Sequence, residues 1–396
     1  MKNEEYIRVG TTLYKIVNQP NLNGGYTKKR IVWNNETLRQ DYGKDYIGSV
    51  PKYDGFCTVP DHLNYRAEVE GFLNLYEPIE HKPVEGDFPS IRSLIEHVFG
   101  EQEELGMDYF QLLYLNPVQK LPILLLVSEE RNTGKSTFLN FLKAVFQNNV
   151  TFNTNEDFRS QFNSDWTGKL LILVDEVLLN RREDSERLKN LSTTLSYKVE
   201  AKGKDRSEIP FFAKFVLCSN NEYLPVIIDA GETRYWVRKI HPLKTDDTNF
   251  LQKLKEEIPA FLYFLSKRQM STTRESRMWF NPKDIYTPAL QRIIRSNRNK
   301  LEVELTELFL DIMANMNVDS VSFCLNDLML LLAYSQVKAE KYQVRKVVQE
   351  VWKLTSASNS LSYTTYDVAP ARECHYEPRR KIGRFYTITR EQLTAI

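Results

Sequence analysis

The chain has 396 residues, of which 42% are hydrophobic, enough to bury a core in each of two or three domains and too many for a wholly disordered protein. Its 53 Lys and Arg nearly balance 52 Asp and Glu. A surface coated in basic charge is thereby excluded, and any affinity for nucleic acid has to come from a local concentration of cations. No apolar run is long enough to span a bilayer, and the start Met1-Lys-Asn-Glu-Glu5 lacks a signal-peptide core, so a cytoplasmic protein with no membrane partner is expected.

Taken in chain order, residues 1–85 mix short β-like pieces, such as Tyr6-Ile-Arg-Val9 and Thr12-Leu-Tyr-Lys-Ile-Val17, with Asn, Gly and aromatic residues. They read as an α+β region whose role no motif discloses. Residues 86–120 carry Ile91, Leu94, Ile95, Val98 and Phe99 at helical spacing, then Phe110, Leu112, Leu113 and Tyr114, which predicts helices.

The most informative stretch is Leu121 to Thr137. An apolar run, Leu121 to Val127, predicts a buried strand; a polar turn follows; Gly134-Lys135-Ser136-Thr137 opens a patterned helix. A strand feeding a helix N-terminus through a tight loop presents free N–H groups to a phosphate, with Lys135 to neutralise charge and Ser136 to hold Mg²⁺. Asn132, Thr133, Gly134, Lys135, Ser136 and Thr137 are therefore the candidate nucleotide-binding residues, with ATP and Mg²⁺ as the implied ligands. The position of the usual first glycine is taken by Glu129. A Gly-Lys-Ser tripeptide also occurs on ordinary surface turns, and context decides between the two.

That context is Lys169-Leu-Leu-Ile-Leu-Val-Asp175-Glu176, a second buried-strand pattern ending in two carboxylates. Asp175 would join Ser136 on Mg²⁺, and Glu176 would polarise an attacking water; by itself the pair would be a solvated strand end. Glu183 to Leu195 suits a helix, and Trp166 reads as packing. The alternation on either side of Lys202-Gly-Lys204 predicts a β-hairpin whose tip carries Lys202, Lys204 and Arg206. Phe211 to Ser219 is a third apolar strand, followed by Asn220, which could hydrogen-bond the water or a γ-phosphate. Asn-Asn after a strand is also a common turn.

Phosphate loop, acidic strand end, basic hairpin, strand with a terminal Asn, then Gly231-Glu-Thr-Arg234-Tyr-Trp-Val-Arg238: in this order the motifs resemble the superfamily 3 helicases, most closely the helicase part of phage and plasmid primase-helicases. The resemblance covers about residues 86 to 243. It implies an α/β fold whose core, residues 121–243, is an AAA+-like P-loop NTPase assembling as a homo-oligomer, a hexameric ring with ATP at each interface. It further implies that Lys135, Asp175, Glu176, Asn220 and Arg234 are catalytic, Asn220 sensing the γ-phosphate and Arg234 reaching a neighbour's ATP; Arg238 is the other candidate for that arginine, and either could be a structural ion pair. Lys202, Lys204 and Arg206 would contact single-stranded DNA in the channel, and residues 86–120 would form an oligomerisation collar or, alternatively, pack on the core. The partners would be single-stranded DNA and replication forks of a phage or mobile element in the bacterial host cytoplasm. The region before Ser128 looks too short for a full primase domain as well as a collar, so a separate primase is expected. The competing readings are a P-loop small-molecule kinase, and a replication scaffold with weak ATPase.

Residues 244–300 predict a helical lid or linker, with a basic segment Gln291 to Lys300 that is either a solvated face or a phosphate contact. Residues 301–396 show helices followed by β-like Leu361 to Tyr366 and Arg384 to Ile388, which suggests a winged-helix-like module with Arg379-Arg380-Lys381 between the two strands as its wing. Cys57, Cys218, Cys324 and Cys374 lack paired spacing, and reduced thiols without a zinc site are expected.

Overall fold

The computed structural model describes residues 5–20, 26–159, 166–179, 181–199, 207–243, 247–297, 300–335, 337, 339–369 and 376–395. The chain divides into two compact units, one of residues 1–227 and 233–293, the other of residues 228–232 and 294–396. Among the described residues no helix is long and apolar enough to cross a membrane.

The first unit is mixed α/β. Its centre is a five-stranded sheet of β1 (Ile123–Val127), β2 (Val150–Asn153), β3 (Leu171–Val174), β4 (Lys214–Ser219) and β5 (Tyr235–Lys239), in the order β5-β1-β4-β3-β2 with every pair parallel. Every residue of β1, β3 and β4 is buried, as befits strands covered on both faces. On one face Leu124, Leu126, Leu173, Val216, Cys218 and Trp236 meet four helices: α1 (Pro89–Phe99), α2 (Glu103–Leu115), α3 (Lys135–Phe146) and a long helix at Phe250–Lys267. On the other, Phe215 packs against Phe158, Trp166 and Phe211, so Trp166 is a packing residue.

The apolar faces of α1 and α2 are spent on this core, where Ile91, Ile95, Phe99, Phe110 and Leu113 are fully buried. The segment that the resemblance cast as a collar thus packs on the sheet within its own chain. The same holds for Phe250–Lys267, whose Leu254, Ile258, Phe261 and Leu265 join that core.

The antiparallel ribbon Ser196–Val199 with Ser207–Pro210 matches the hairpin the alternation predicts. Its tip, with Lys202, Lys204 and Arg206, lies outside the described residues. Ahead of α1, strands Tyr6–Val9, Thr12–Pro20, Tyr26–Val32 and Lys52–Tyr53 form a small sheet with Tyr26–Val32 at one edge. A helix at Asn35–Tyr42 supplies Leu38 to the cluster of Tyr6, Leu13 and Val50.

The second unit holds helices Lys300–Asn315 and Leu325–Tyr334 with a strand, Ser320–Phe323, between them. Phe309, Phe323, Trp352 and Ile388 anchor its core. The strand pairing corrects the expectation for the wing. Leu361–Val368 pairs with Tyr376–Gly383, so Arg379, Arg380 and Lys381 lie within a strand rather than between two, while Tyr386–Thr389 pairs with Ser320–Phe323. The physical reason is charge pairing along the ribbon: Lys381 reaches Asp327 at 2.8 Å and Asp367 at 3.3 Å, and Arg379 reaches Asp367 at 2.7 Å. A basic run whose side chains alternate between faces looks like a loop in sequence.

Candidate functional site

The loop from Ser128 to Gly134 leaves the carboxyl end of β1 and turns into α3. Gly134 sits at φ +81° and Asn132 at φ +58°, left-handed conformations that Gly and Asn adopt most readily. The loop is pinned on both sides: the Leu243 N–H donates to the Asn132 carbonyl at 3.1 Å, and His97 Nε2 lies 3.0 Å from the Thr133 carbonyl. Glu129, at the position of the usual first glycine, is not among the residues with positive φ, so its backbone does not call for glycine.

Inside this loop Lys135 is only 7% exposed. Its Nζ donates to Thr133 Oγ1 at 3.1 Å and lies 3.4 Å from the Ser128 carbonyl, both neutral acceptors. Burial pushes its pKa down, against the pull of Asp175, Glu176 and Glu222. A dehydrated ammonium beside the first-turn N–H groups of a helix favours an anion, and a terminal phosphate supplies one. Ser136 and Thr137 follow in that first turn, exposed and half-buried respectively.

Asp175 and Glu176 leave the carboxyl end of β3 and are exposed. The Ser136 hydroxyl donates to Asp175 Oδ2 at 2.8 Å, placing two hard oxygen ligands together, a donor set that suits Mg²⁺. Strand β4 lies between β1 and β3, and its end brings Asn220 beside the acidic pair, where Asn220 Nδ2 donates to Glu176 Oε1 at 3.2 Å. Glu176 itself is at φ +57°, and its carbonyl accepts from Asn155 Nδ2 at 3.1 Å. Lys135, Ser136, Asp175, Glu176 and Asn220 therefore share one end of the sheet. This is where open α/β sheets present their ligand crevice.

Arg234 is elsewhere. Its carbonyl accepts from Ile123 N–H at 2.8 Å at the amino end of β1 and β5, one strand length, roughly 13 Å, from the loop. The structure does not bring Arg234 and Lys135 of one chain together. Arg238 is a structural residue: its guanidinium donates to the Val98 carbonyl at 3.2 Å, to Gln102 at 2.6 Å and to Glu101 at 2.8 Å, an ion pair that draws the Glu101 pKa down.

Glu222 was not legible in sequence. It is 3% exposed and lies beside the loop entrance, accepting the Glu129 N–H at 3.3 Å while pairing with Lys239 at 3.0 Å and with Arg292. Burial alone would raise its pKa, but the bonds from Lys239 and Glu129 hold it below the ordinary value. Arg292, in the helix Pro288–Ser296, is thus engaged with a carboxylate. Within the basic segment Gln291 to Lys300, expected as a solvated face or a phosphate contact, Arg292 is turned to this carboxylate. Cys57, Cys218 and Cys324 are free thiols, and no group of metal-ligating His, Cys, Asp or Glu occurs among the described residues. Cys374 lies outside them.

A family of unknown function, DUF5906, matches residues 126–235, the span from the end of β1 to the start of β5. No curated protein matches the chain. Among solved structures, the apo C-terminal region of NrS-1, residues 305–718, is similar with a TM-score of 0.62 at 17% identity, over 95% of this chain and 96% of that one. Its A form gives a TM-score of 0.63 at 16% identity, over 98% and 96%. At this identity the likeness is one of fold, and it extends over nearly the whole of both chains.

Proposed function

We propose that this chain is an ATP-hydrolysing DNA helicase of the superfamily 3 type, with a P-loop, AAA+-like core, acting in the replication of a phage or mobile element. One observation carries the reading: three parallel strands that the sequence separates by dozens of residues deliver Lys135, Ser136, Asp175, Glu176 and Asn220 to one crevice. Lys135 and the α3 N-terminus bind the phosphates. Ser136 and Asp175 hold Mg²⁺, which when bound screens phosphate charge. Glu176, oriented by Asn220, takes the proton of the attacking water or aligns it.

Because Arg234 stands at the far end of the sheet from its own loop, it can act as an arginine finger only on a neighbouring subunit's ATP. That favours a homo-oligomer, with a hexameric ring as the proposed form. The Lys202, Lys204 and Arg206 hairpin then contacts single-stranded DNA, and a separate primase supplies primers. The site of action is the bacterial host cytoplasm. Unwinding of a forked duplex tests the proposal. Strand separation that requires ATP and Mg²⁺ and disappears in Lys135→Ala supports it; ATP turnover without any unwinding contradicts the helicase assignment.

A further inference from the structure

The edge strand Tyr26–Val32 carries Lys28, Lys29 and Arg30 in succession, all exposed and none in an ion pair among the described residues. This contrasts with two other basic stretches among the described residues. Arg379 and Lys381 are tied to Asp327 and Asp367, and Arg292 to Glu222. Pairing with the neighbouring strand sets the faces of the ribbon. Pro20 lies opposite Tyr26, Asn18 opposite Lys28, Ile16 opposite Arg30 and Tyr14 opposite Val32. All eight residues share one face, and none is acidic.

Tyr26 is 73% exposed, a large ring left in water at an edge. Tyr14 on the same face meets Phe56 edge-on at 5.7 Å, extending the aromatic surface. Tyr26, Lys28 and Arg30 are spaced roughly 7 Å apart along the strand, about the reach of one extended nucleotide. An acid-free face combining unpaired cations with an exposed ring has the chemistry that grips single-stranded nucleic acid, by phosphate neutralisation and base stacking.

We propose that the ribbon face of Tyr26, Lys28 and Arg30 is a second single-stranded DNA contact, distinct from the Lys202 to Arg206 hairpin. The inference rests on the DNA-directed reading above. It assigns a role to the region that the motifs leave silent.

The test is binding of fluorescently labelled oligo(dT) to the full chain over a series of salt concentrations, beside ATP turnover measured without DNA. Compared with wild type, Lys28→Gln/Arg30→Gln lowers the steepness of the log affinity against log salt plot by about 1.4, from two phosphate contacts at about 0.7 each. Tyr26→Ala weakens binding at least about fivefold with the salt slope unchanged. DNA-free turnover stays at the wild-type level in both variants, since no residue here touches the nucleotide crevice. Wild-type slope and affinity in both variants overturn the inference, as does a change in oligomeric state with DNA affinity intact, which would make the edge a protein contact. Turnover without any oligo(dT) binding by wild type overturns the DNA reading as well, while absent turnover with ribbon-dependent binding overturns the motor alone.

Discussion

The Ser136 hydroxyl and the Asp175 carboxylate meet at 2.8 Å although 39 positions separate them. The first belongs to the opening turn of α3, the second to the end of β3, and β4 lies between their strands. Their contact is what turns two separate strand ends into one crevice. Asp175→Asn keeps the shape and removes the charge that a divalent cation needs, so Mg²⁺-dependent nucleotide binding should weaken about tenfold or more. Ser136→Ala should do the same with a smaller loss. Calorimetric titration of ATP with and without Mg²⁺ checks this, and equal losses in both conditions would argue against a metal role.

Arg238 and Arg234 should separate cleanly. Arg238→Ala removes bonds to Val98, Gln102 and Glu101 from a buried position, and should cost about 2 kcal/mol in urea unfolding. Arg234→Ala should leave ATP binding intact while reducing turnover by about 10³-fold. If Arg234→Ala retains turnover, the finger in trans is wrong.

Glu222→Gln should lower kcat/KM for ATP by roughly tenfold to hundredfold, because the Glu129 N–H at the loop entrance loses a charged acceptor and the loop shifts. Steady-state kinetics beside urea unfolding distinguishes this from general destabilisation. A fall in stability with unchanged kcat/KM would reduce Glu222 to packing.

How far the sequence discloses this crevice depends on range. Strands β1 and β3 show as uninterrupted aliphatic runs and β4 as a largely apolar one because both of their faces are buried, and the polar residues that follow mark the strand ends. The helix start at Lys135 shows through Gly134. Glu222 is invisible because its partners, Lys239 and Arg292, lie far along the chain and only the fold brings them together. Lys214 is fully buried at the start of β4, bonded to the Pro117 carbonyl, a long-range partner that the apolar run around it does not disclose. Burial lowers its pKa and also that of nearby Lys120, to about 8. The strand carrying Arg379 to Lys381 differs from the expected wing for a related reason. Its charges pair across strands, and a one-dimensional pattern does not show which carboxylate faces which cation.

Acid should loosen the packing of α2 against the segment after Phe250–Lys267. Burial alone would raise the Asp108 pKa, but bonds from Thr272, Arg268 and Ser271 outweigh it and hold the carboxyl below its usual range. A carboxylate whose folded pKa is depressed contributes stability that is fully present above the unfolded value, about 3.9, and is lost as pH falls through the folded value. Asp108→Asn, which takes the buried carboxylate from Arg268 and leaves it Gln111 and the exposed Glu104, should cost about 3 kcal/mol at pH 6. The difference from wild type should shrink below about pH 4, where the carboxyl takes up a proton in the unfolded chain before it does in the folded one. Urea unfolding of both proteins between pH 3 and 6 measures it; a difference independent of pH would mean that the charge of Asp108 does not matter.

ATP turnover with and without single-stranded DNA, for wild type and Lys135→Ala, tests the central claim most directly. The account predicts turnover that DNA stimulates and that Lys135→Ala abolishes. Turnover absent from wild type, or equal in Lys135→Ala, would contradict it.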